Sequence, residues 1–200
     1  MRATDVTTFL GLVAGRRGHF QLESGHHGAL WLELDGLFAD PRALEPFIGA
    51  LCEQIAPHRP DVICGALLGG AFLAVRVSER LGVRFCFTER ESPKEASGLY
   101  RARYRLPQAF QDQVKGKRVA IVDDVMSAGS ALRGTFEEVT ARGALTVAAG
   151  ALLVLGDLGT EFFRAAQIPV VSATFESYPM WTPETCPLCA QGMPVEALSA

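Results

Sequence analysis

Apolar positions along the chain follow two alternating periods. Thr4 to Arg16 carries Val6, Phe9, Leu10 and Val13 at spacings of three and four, which predicts an amphipathic helix capped by Thr4. Phe20, Leu22, Leu30, Leu32 and Leu34 alternate with other residues across Ser24-Gly25-His26-His27-Gly28, which predicts a β-hairpin with both histidines in its turn. Helix spacing returns from Pro41 to Ala56, with Asp40 as N-cap and Pro41 at the first helical position. Asp61 to Cys64 then reads as a buried strand, Gly70 to Leu81 as a helix, and Arg84 to Thr88 and Lys117 to Val122 as strands. Ser130 to Arg142 is a helix with Leu132, Phe136 and Val139 on one face.

Ala144 to Leu155 is too apolar to be half exposed and fits a parallel strand covered on both faces, and Pro169 to Phe175 forms a last strand. Strands separated by helices predict an α/β fold with an open, mostly parallel sheet and right-handed crossovers. Ligands of such sheets sit beyond the carboxyl ends of the strands. From Glu89 to Pro107 the periodicity fails, and this charged, glycine-containing stretch, interrupted by Pro93, reads as a long mobile loop or excursion of the length that is usually functional or disordered.

Composition narrows the class. A chain of 200 residues, 48% hydrophobic and 20% charged, can bury a core without staples and suits one domain over 1–200. Within it, 1–40 is a helix and hairpin, 89–107 the loop and 176–200 a tail. A formal charge of -3 argues against a surface built to neutralise nucleic acid. The longest apolar run, Ala144 to Leu155, is shorter than the roughly 17–25 residues of a membrane-spanning helix. Phe9 to Ala14 is flanked in the wrong charge order for a secretory signal. Five cysteines, an odd and scattered set, suit free thiols in the cytoplasm.

The chemistry concentrates in Val119-Ala120-Ile121-Val122-Asp123-Asp124-Val125-Met126-Ser127-Ala128-Gly129-Ser130-Ala131. Four apolar residues form a buried strand, two carboxylates follow, and small residues turn the chain into a helix. A phosphate can rest on the amides of that helix N-terminus, aided by the hydroxyls of Ser127 and Ser130. Asp123 and Asp124 would repel a bare phosphate but accept hydrogen bonds from vicinal sugar hydroxyls. A ribose 5-phosphate meets both demands. The bland reading, carboxylates ending a Walker-B-like strand, requires a G-x-x-x-x-G-K-[ST] loop that the chain lacks.

This stretch closely resembles the phosphoribosyl pyrophosphate (PRPP) signature of type I phosphoribosyltransferases, over thirteen residues without a gap. Phe20 to Gly25 resembles the hood motif of orotate phosphoribosyltransferases, and Gly65 to Gly70 lies where that family has its pyrophosphate loop. The resemblance implies a five-stranded, mostly parallel sheet flanked by helices, with a small N-terminal hood hairpin and a flexible loop. It implies a transferase moving ribose 5-phosphate from PRPP to a nucleobase, orotate being the nearest match, with Mg2+ and a homodimer. By resemblance Asp123 and Asp124 hold the ribose hydroxyls, and Val125, Met126, Ser127, Ala128, Gly129, Ser130 and Ala131 hold the 5-phosphate. Leu67, Leu68, Gly69 and Gly70 hold pyrophosphate with magnesium, which Asp123 and Asp124 reach through the ribose hydroxyls. Arg90 and Lys94 in the loop serve catalysis, and Trp31 and Ser24 face the base.

The chain departs from the orotate pattern at three places. Glu23 and Gly69 stand where lysines are usual, and Gly156-Asp157-Leu158-Gly159 replaces the stretch carrying a carboxylate-reading arginine. These departures motivate a second reading, a PRPP-binding or nucleic-acid-binding regulator without catalysis; the Arg101-Ala102-Arg103-Tyr104-Arg105 stripe reads first as a solvated hairpin arm and otherwise as a basic clamp for pyrophosphate or a nucleic-acid strand. An enzyme acting on another phosphosugar is a third. Trp31 equally suits a hairpin aromatic covering the core. His26 and His27 need no role beyond the turn. The tail pair Cys186 and Cys189 supplies half of a zinc site, so zinc would have to borrow histidines or bridge subunits.

Overall fold

The structure, a computed structural model, describes residues 5–21, 26–91 and 103–197. In chain order its elements are α1 (Val6–Leu12), β1 (Arg16–Gln21), β2 (His27–Trp31), α2 (Pro41–Ile55), β3 (Val62–Ala66), α3 (Gly69–Leu81), β4 (Arg84–Glu91), β5 (Arg103–Arg105), α4 (Gln108–Val114), β6 (Arg118–Met126), α5 (Ser130–Ala141), β7 (Leu145–Leu155), α6 (Leu158–Ala165), β8 (Val170–Glu176), β9 (Met180–Trp181), α7 (Pro187–Ala190) and β10 (Glu196–Ala197).

The main sheet runs β5-β4-β3-β6-β7-β8. Its five strands from β4 to β8 are parallel, as the alternation of strands and helices requires, and β5 adds an antiparallel edge opposite Glu89–Glu91. The expected five-stranded sheet is therefore six-stranded. The stretch beginning at Glu89 is in part regular: β4 continues to Glu91 and β5 returns beside it, while 92–102 lie outside the described residues. Tyr104 of β5 packs against Gly134 of α5, where a Cβ would collide with its ring.

Alternating side chains of one strand feed two cores. Ala120 and Val122 of β6 join Phe47, Leu51 and Ile55 of α2 and Leu73 and Val77 of α3. Val119 and Ile121 join Leu132 and Val139 of α5 and Phe163 of α6 on the other face. Each such aliphatic side chain, fully withdrawn from water, contributes about 1.5–3 kcal/mol. A strand covered on both faces thus has no polar side, which is why β7 reads as an apolar run.

Several expectations near the chain ends are corrected. Asp5, not Thr4, caps α1: its carboxylate accepts from the amides of Thr7 and Thr8 at 2.7 and 3.1 Å. His27 is not in a turn; it lies in β2 and is buried. The hood is also more than a hairpin. It is a four-stranded sheet, β10-β1-β2-β9, whose outer strands come from the tail. Arg16 pairs with Glu196 at 3.0 Å and Arg17 with Glu176 at 3.1 Å, and the buried Tyr178 hydroxyl donates to the Leu30 carbonyl at 3.1 Å.

Candidate active site

The connections from β3 and from β6 leave in opposite directions: β3 leads through α3 to β4, and β6 leads through α5 to β7. A crevice therefore opens at the carboxyl ends of β3 and β6, the switch point at which open α/β sheets bind ligands. Leu67 to Gly70 leave one of these strands, and Asp123 and Asp124 belong to the other. The strand expected to stop at Val122 runs on to Met126, with Asp123, Val125 and Met126 registered against Ala151, Leu153 and Val154 of β7. The carboxylates are consequently held by sheet rather than by a loop, which fixes their backbone.

Their electrostatics are unfavourable by construction. The Asp124 amide donates to the Asp123 carboxylate at 3.1 Å and the Val125 amide to the Asp124 carboxylate at 2.7 Å. Burial nevertheless raises the pKa of Asp123 well above the usual carboxylate value, with the neighbouring Asp124 charge adding to it. Burial also raises Asp124, against the lowering effect of the Val125 amide. Among the described residues neither acid has an ion-pair partner. Two adjacent acids in this state are poised to receive hydroxyl donors and positive charge.

Glycines bring the pyrophosphate-loop candidate onto these acids. A Cβ at Gly69 would fall on the Asp124 carboxylate, and one at Gly70 would lie 2.7 Å from Asp123 Oδ1. Leu67 and Leu68, joined by a cis peptide, stand exposed at the rim. The absence of a side chain at Gly69 thus lets the Asp124 carboxylate lie against the start of α3. The lysine usual in the orotate pattern could not be accommodated without moving Asp124.

The phosphate-loop candidate, Met126 to Ala131, closes the other side. Gly129 adopts φ +74° and precedes α5, whose N-terminus has no side-chain cap. Gly159 backs this turn: its amide donates to the Ser127 carbonyl at 3.1 Å, and a Cβ there would lie 2.6 Å from the same oxygen. Ser127 Oγ lies 3.6 Å from the Met180 sulfur, so the hood sheet reaches the loop through β9. In the sequence Gly159 stands only within the Gly156-Asp157-Leu158-Gly159 departure from the orotate pattern, with no role in the phosphate loop, and Met180 is not singled out. The only signal was the G-x-x-G spacing of Gly156 and Gly159 after β7.

The other candidates scatter. Arg90 is exposed on β4 opposite Tyr104. Trp31 is half-buried in β2, with its ring 6.4 Å from that of Phe20. Ser24 and Lys94 lie outside the described residues. Cys186 and Cys189 meet His19 and His27 beneath the hood sheet.

Residues 42–167 match the family model described as phosphoribosyl transferase domain. A protein of Caldanaerobacter subterraneus named orotate phosphoribosyltransferase is 31% identical over 90% of this chain and 87% of its own. One of the same name from Heliobacterium modesticaldum is 32% identical over 88% and 86%. The crystal structure of orotate phosphoribosyltransferase from Aeropyrum pernix superposes with a TM-score of 0.66 at 24% identity, over 88% of this chain and 93% of that one. Adenine phosphoribosyltransferase from Thermoanaerobacter pseudethanolicus gives 0.64 at 18% identity, over 83% and 96%, a likeness of fold. The chain belongs to the phosphoribosyl transferase family.

Proposed function

We propose that this phosphoribosyltransferase transfers ribose 5-phosphate from PRPP to orotate, giving orotidine 5'-phosphate and pyrophosphate. The observation that carries the reading is the seating of Asp123 and Asp124 between Gly69-Gly70 and the Met126–Ala131 turn. The relatives named orotate phosphoribosyltransferase, spanning most of both chains, favour orotate among the bases.

In this reading the amides of the turn hold the 5-phosphate and the two acids accept hydrogen bonds from the ribose hydroxyls. The sugar is then held at both its phosphate and its hydroxyl side. Holding both reactants in one geometry supplies several kcal/mol of the barrier reduction, up to about 7–11 in well-oriented cases, and no nucleophilic side chain is needed. The donor set fits a hard divalent cation, since two acids raised by burial gain most from added positive charge. Asp123 and Asp124 would hold magnesium through the ribose hydroxyls. A magnesium ion bound there with pyrophosphate would neutralise the charge of the leaving group.

Two copies complete the reading. Leu67, Leu68 and Phe72, at the start of α3, expose 42%, 61% and 48% of their surfaces, an apolar rim suited to a homodimer contact beside the crevice. Five free cysteines and no helix long and apolar enough to cross a membrane among the described residues accord with a cytoplasmic enzyme.

The test is pyrophosphate release from PRPP and Mg2+ with orotate, uracil or adenine as acceptor. Release with orotate and none with the others supports the proposal; release with another base replaces orotate. The second reading, a regulator, rests on Glu23 and Gly69 replacing the usual cations. Calorimetric PRPP binding with no product from any base would establish it.

A further inference from the structure

We propose that His19, His27, Cys186 and Cys189 form a structural zinc site that ties the C-terminal tail to the hood sheet. One nitrogen or sulfur atom from each lies within 4.8 Å of all the others. His19 Nε2 is 3.0 Å from His27 Nδ1, 3.4 Å from Cys186 Sγ and 3.7 Å from Cys189 Sγ, and His27 Nδ1 is 3.3 Å from Cys189 Sγ. A tetrahedral zinc with Zn–N near 2.0 Å and Zn–S near 2.3 Å places its ligand atoms about 3.3–3.8 Å apart. These four separations fall around that range, with the two imidazoles slightly close, and the remaining pairs lie within 4.8 Å.

The protonation pattern points the same way. His19 Nδ1 lies 2.9 Å from the Met193 carbonyl, which can only accept, so Nδ1 carries the proton and Nε2 presents a lone pair to the cluster. One lone pair cannot serve three neighbours at 3.0, 3.4 and 3.7 Å. A cation at their centre serves all of them, and the Met193 carbonyl is then the outer partner that orients a ligating histidine. Two thiolates and two neutral imidazoles balance the charge of a divalent ion, as their burial requires: His19, His27 and Cys186 are 3%, 6% and 3% exposed. The sulfur and imidazole donors, with no carboxylate among them, select zinc over magnesium.

Packing alone does not account for the tail. Between Thr182 and Glu196 the only buried residue is Cys186, and the strands that attach this segment, β9 and β10, are two residues each. A segment with one buried side chain cannot offset its ordering entropy by apolar burial, which is the situation that metal staples resolve. The ligands of β1 and β2 bracket residues 20–26, so the same ion fixes both ends of that hood segment.

The full chain, purified with tris(2-carboxyethyl)phosphine as reductant and without added chelator, should carry one zinc per chain by elemental analysis. Exchange to Co2+ should give the intense visible bands of a tetrahedral site together with thiolate-to-cobalt charge transfer. Cys189→Ser removes an exposed ligand and should leave the main sheet folded; its metal affinity should fall at least about tenfold. The rise in melting temperature that zinc gives the wild-type chain should disappear in this variant. Hydrogen exchange in 16–31 and 180–197 should accelerate when wild-type protein is stripped of metal. Three results would overturn the proposal: no retained zinc with no cobalt spectrum, metal content unchanged in Cys189→Ser and His27→Ala alike, or a Cys186–Cys189 disulfide in the protein kept under tris(2-carboxyethyl)phosphine.

Discussion

Gly69 sits directly against Asp124, with no room for a side chain between the start of α3 and the carboxylate. The residue that departs from the orotate pattern is thus the one that lets the acid stand where it does. Replacing Gly69 by Lys supplies the usual cation but forces the Cβ onto Asp124. Such overpacking costs about 1–3 kcal/mol, so PRPP affinity should fall roughly 5- to 150-fold. Gly69→Ala should lose a similar amount without any change in charge. Calorimetric titration with PRPP and Mg2+ checks both, and tighter binding by Gly69→Lys would show that the crevice relaxes freely.

Asp123 should trade stability for function. Its pKa is raised in the folded state, so the folded chain retains a proton that the unfolded chain has already released. The folded state is therefore favoured below the ordinary carboxylate value of 3.8, and that advantage is lost as pH rises through the raised folded value. Asp123→Asn should melt higher than wild type at neutral pH, by roughly 2–4 °C per kcal/mol recovered. The gap should close as pH falls toward 3.8. The same variant should bind PRPP roughly 10- to 150-fold more weakly, the worth of a hydrogen bond to a charged group at about 1.5–3 kcal/mol. Melting curves across pH, paired with PRPP titrations, test the opposition directly.

Gly159 should behave as part of the phosphate loop. Its Cβ would press on the Ser127 carbonyl at 2.6 Å and on Met126 Cγ at 2.9 Å. Gly159→Ala should raise KM for PRPP with little change in KM for the base, by a penalty of about 1–3 kcal/mol. Steady-state kinetics separates the two constants. An unchanged KM for PRPP would remove α6 from the site.

Tyr178 should govern alkaline stability. Burial pushes its phenol up to about 12 from an ordinary 10.0. Folding stability is thus intact below pH 10.0 and declines as pH rises toward about 12, because only the unfolded chain ionises this group in between. Tyr178→Phe should remove the hydroxyl's bond to the Leu30 carbonyl, cost about 0.5–1.5 kcal/mol at neutral pH, and flatten the loss of stability across that alkaline window. Chemical denaturation at neutral and alkaline pH distinguishes this from a general weakening.

The apolar rim gives a separate test of assembly. Leu68→Glu with Phe72→Glu places two charges on a surface now 61% and 48% exposed at these residues. Sedimentation should show a dimer converting to monomer, while circular dichroism stays unchanged. A wild-type monomer at micromolar concentration would end the homodimer proposal.

The periodicities of β3, β6 and β7 and of the helices between them are local properties of the chain, so the parallel sheet is legible in the sequence alone. The same holds for Asp123, Asp124 and the small residues after them, because a strand, a carboxylate pair and a helix start are contiguous. Other features rest on contacts between distant segments. Two-residue strands such as β9 and β10 carry no period, and nothing near His19 announces Cys186, 167 residues away. Chain order could suggest neither that Gly69 makes room for Asp124 nor that Gly159 backs Ser127, since a glycine shows its purpose only when another backbone arrives beside it. Sequence determined the scaffold and the contiguous motif on which the proposed phosphate-and-ribose chemistry rests, because hydrogen-bond period and adjacent charges act over a few residues. Tertiary structure decided the union of the chain ends, the fit of the crevice and the meeting of four metal-binding side chains, because steric closeness and coordination depend on distance in space.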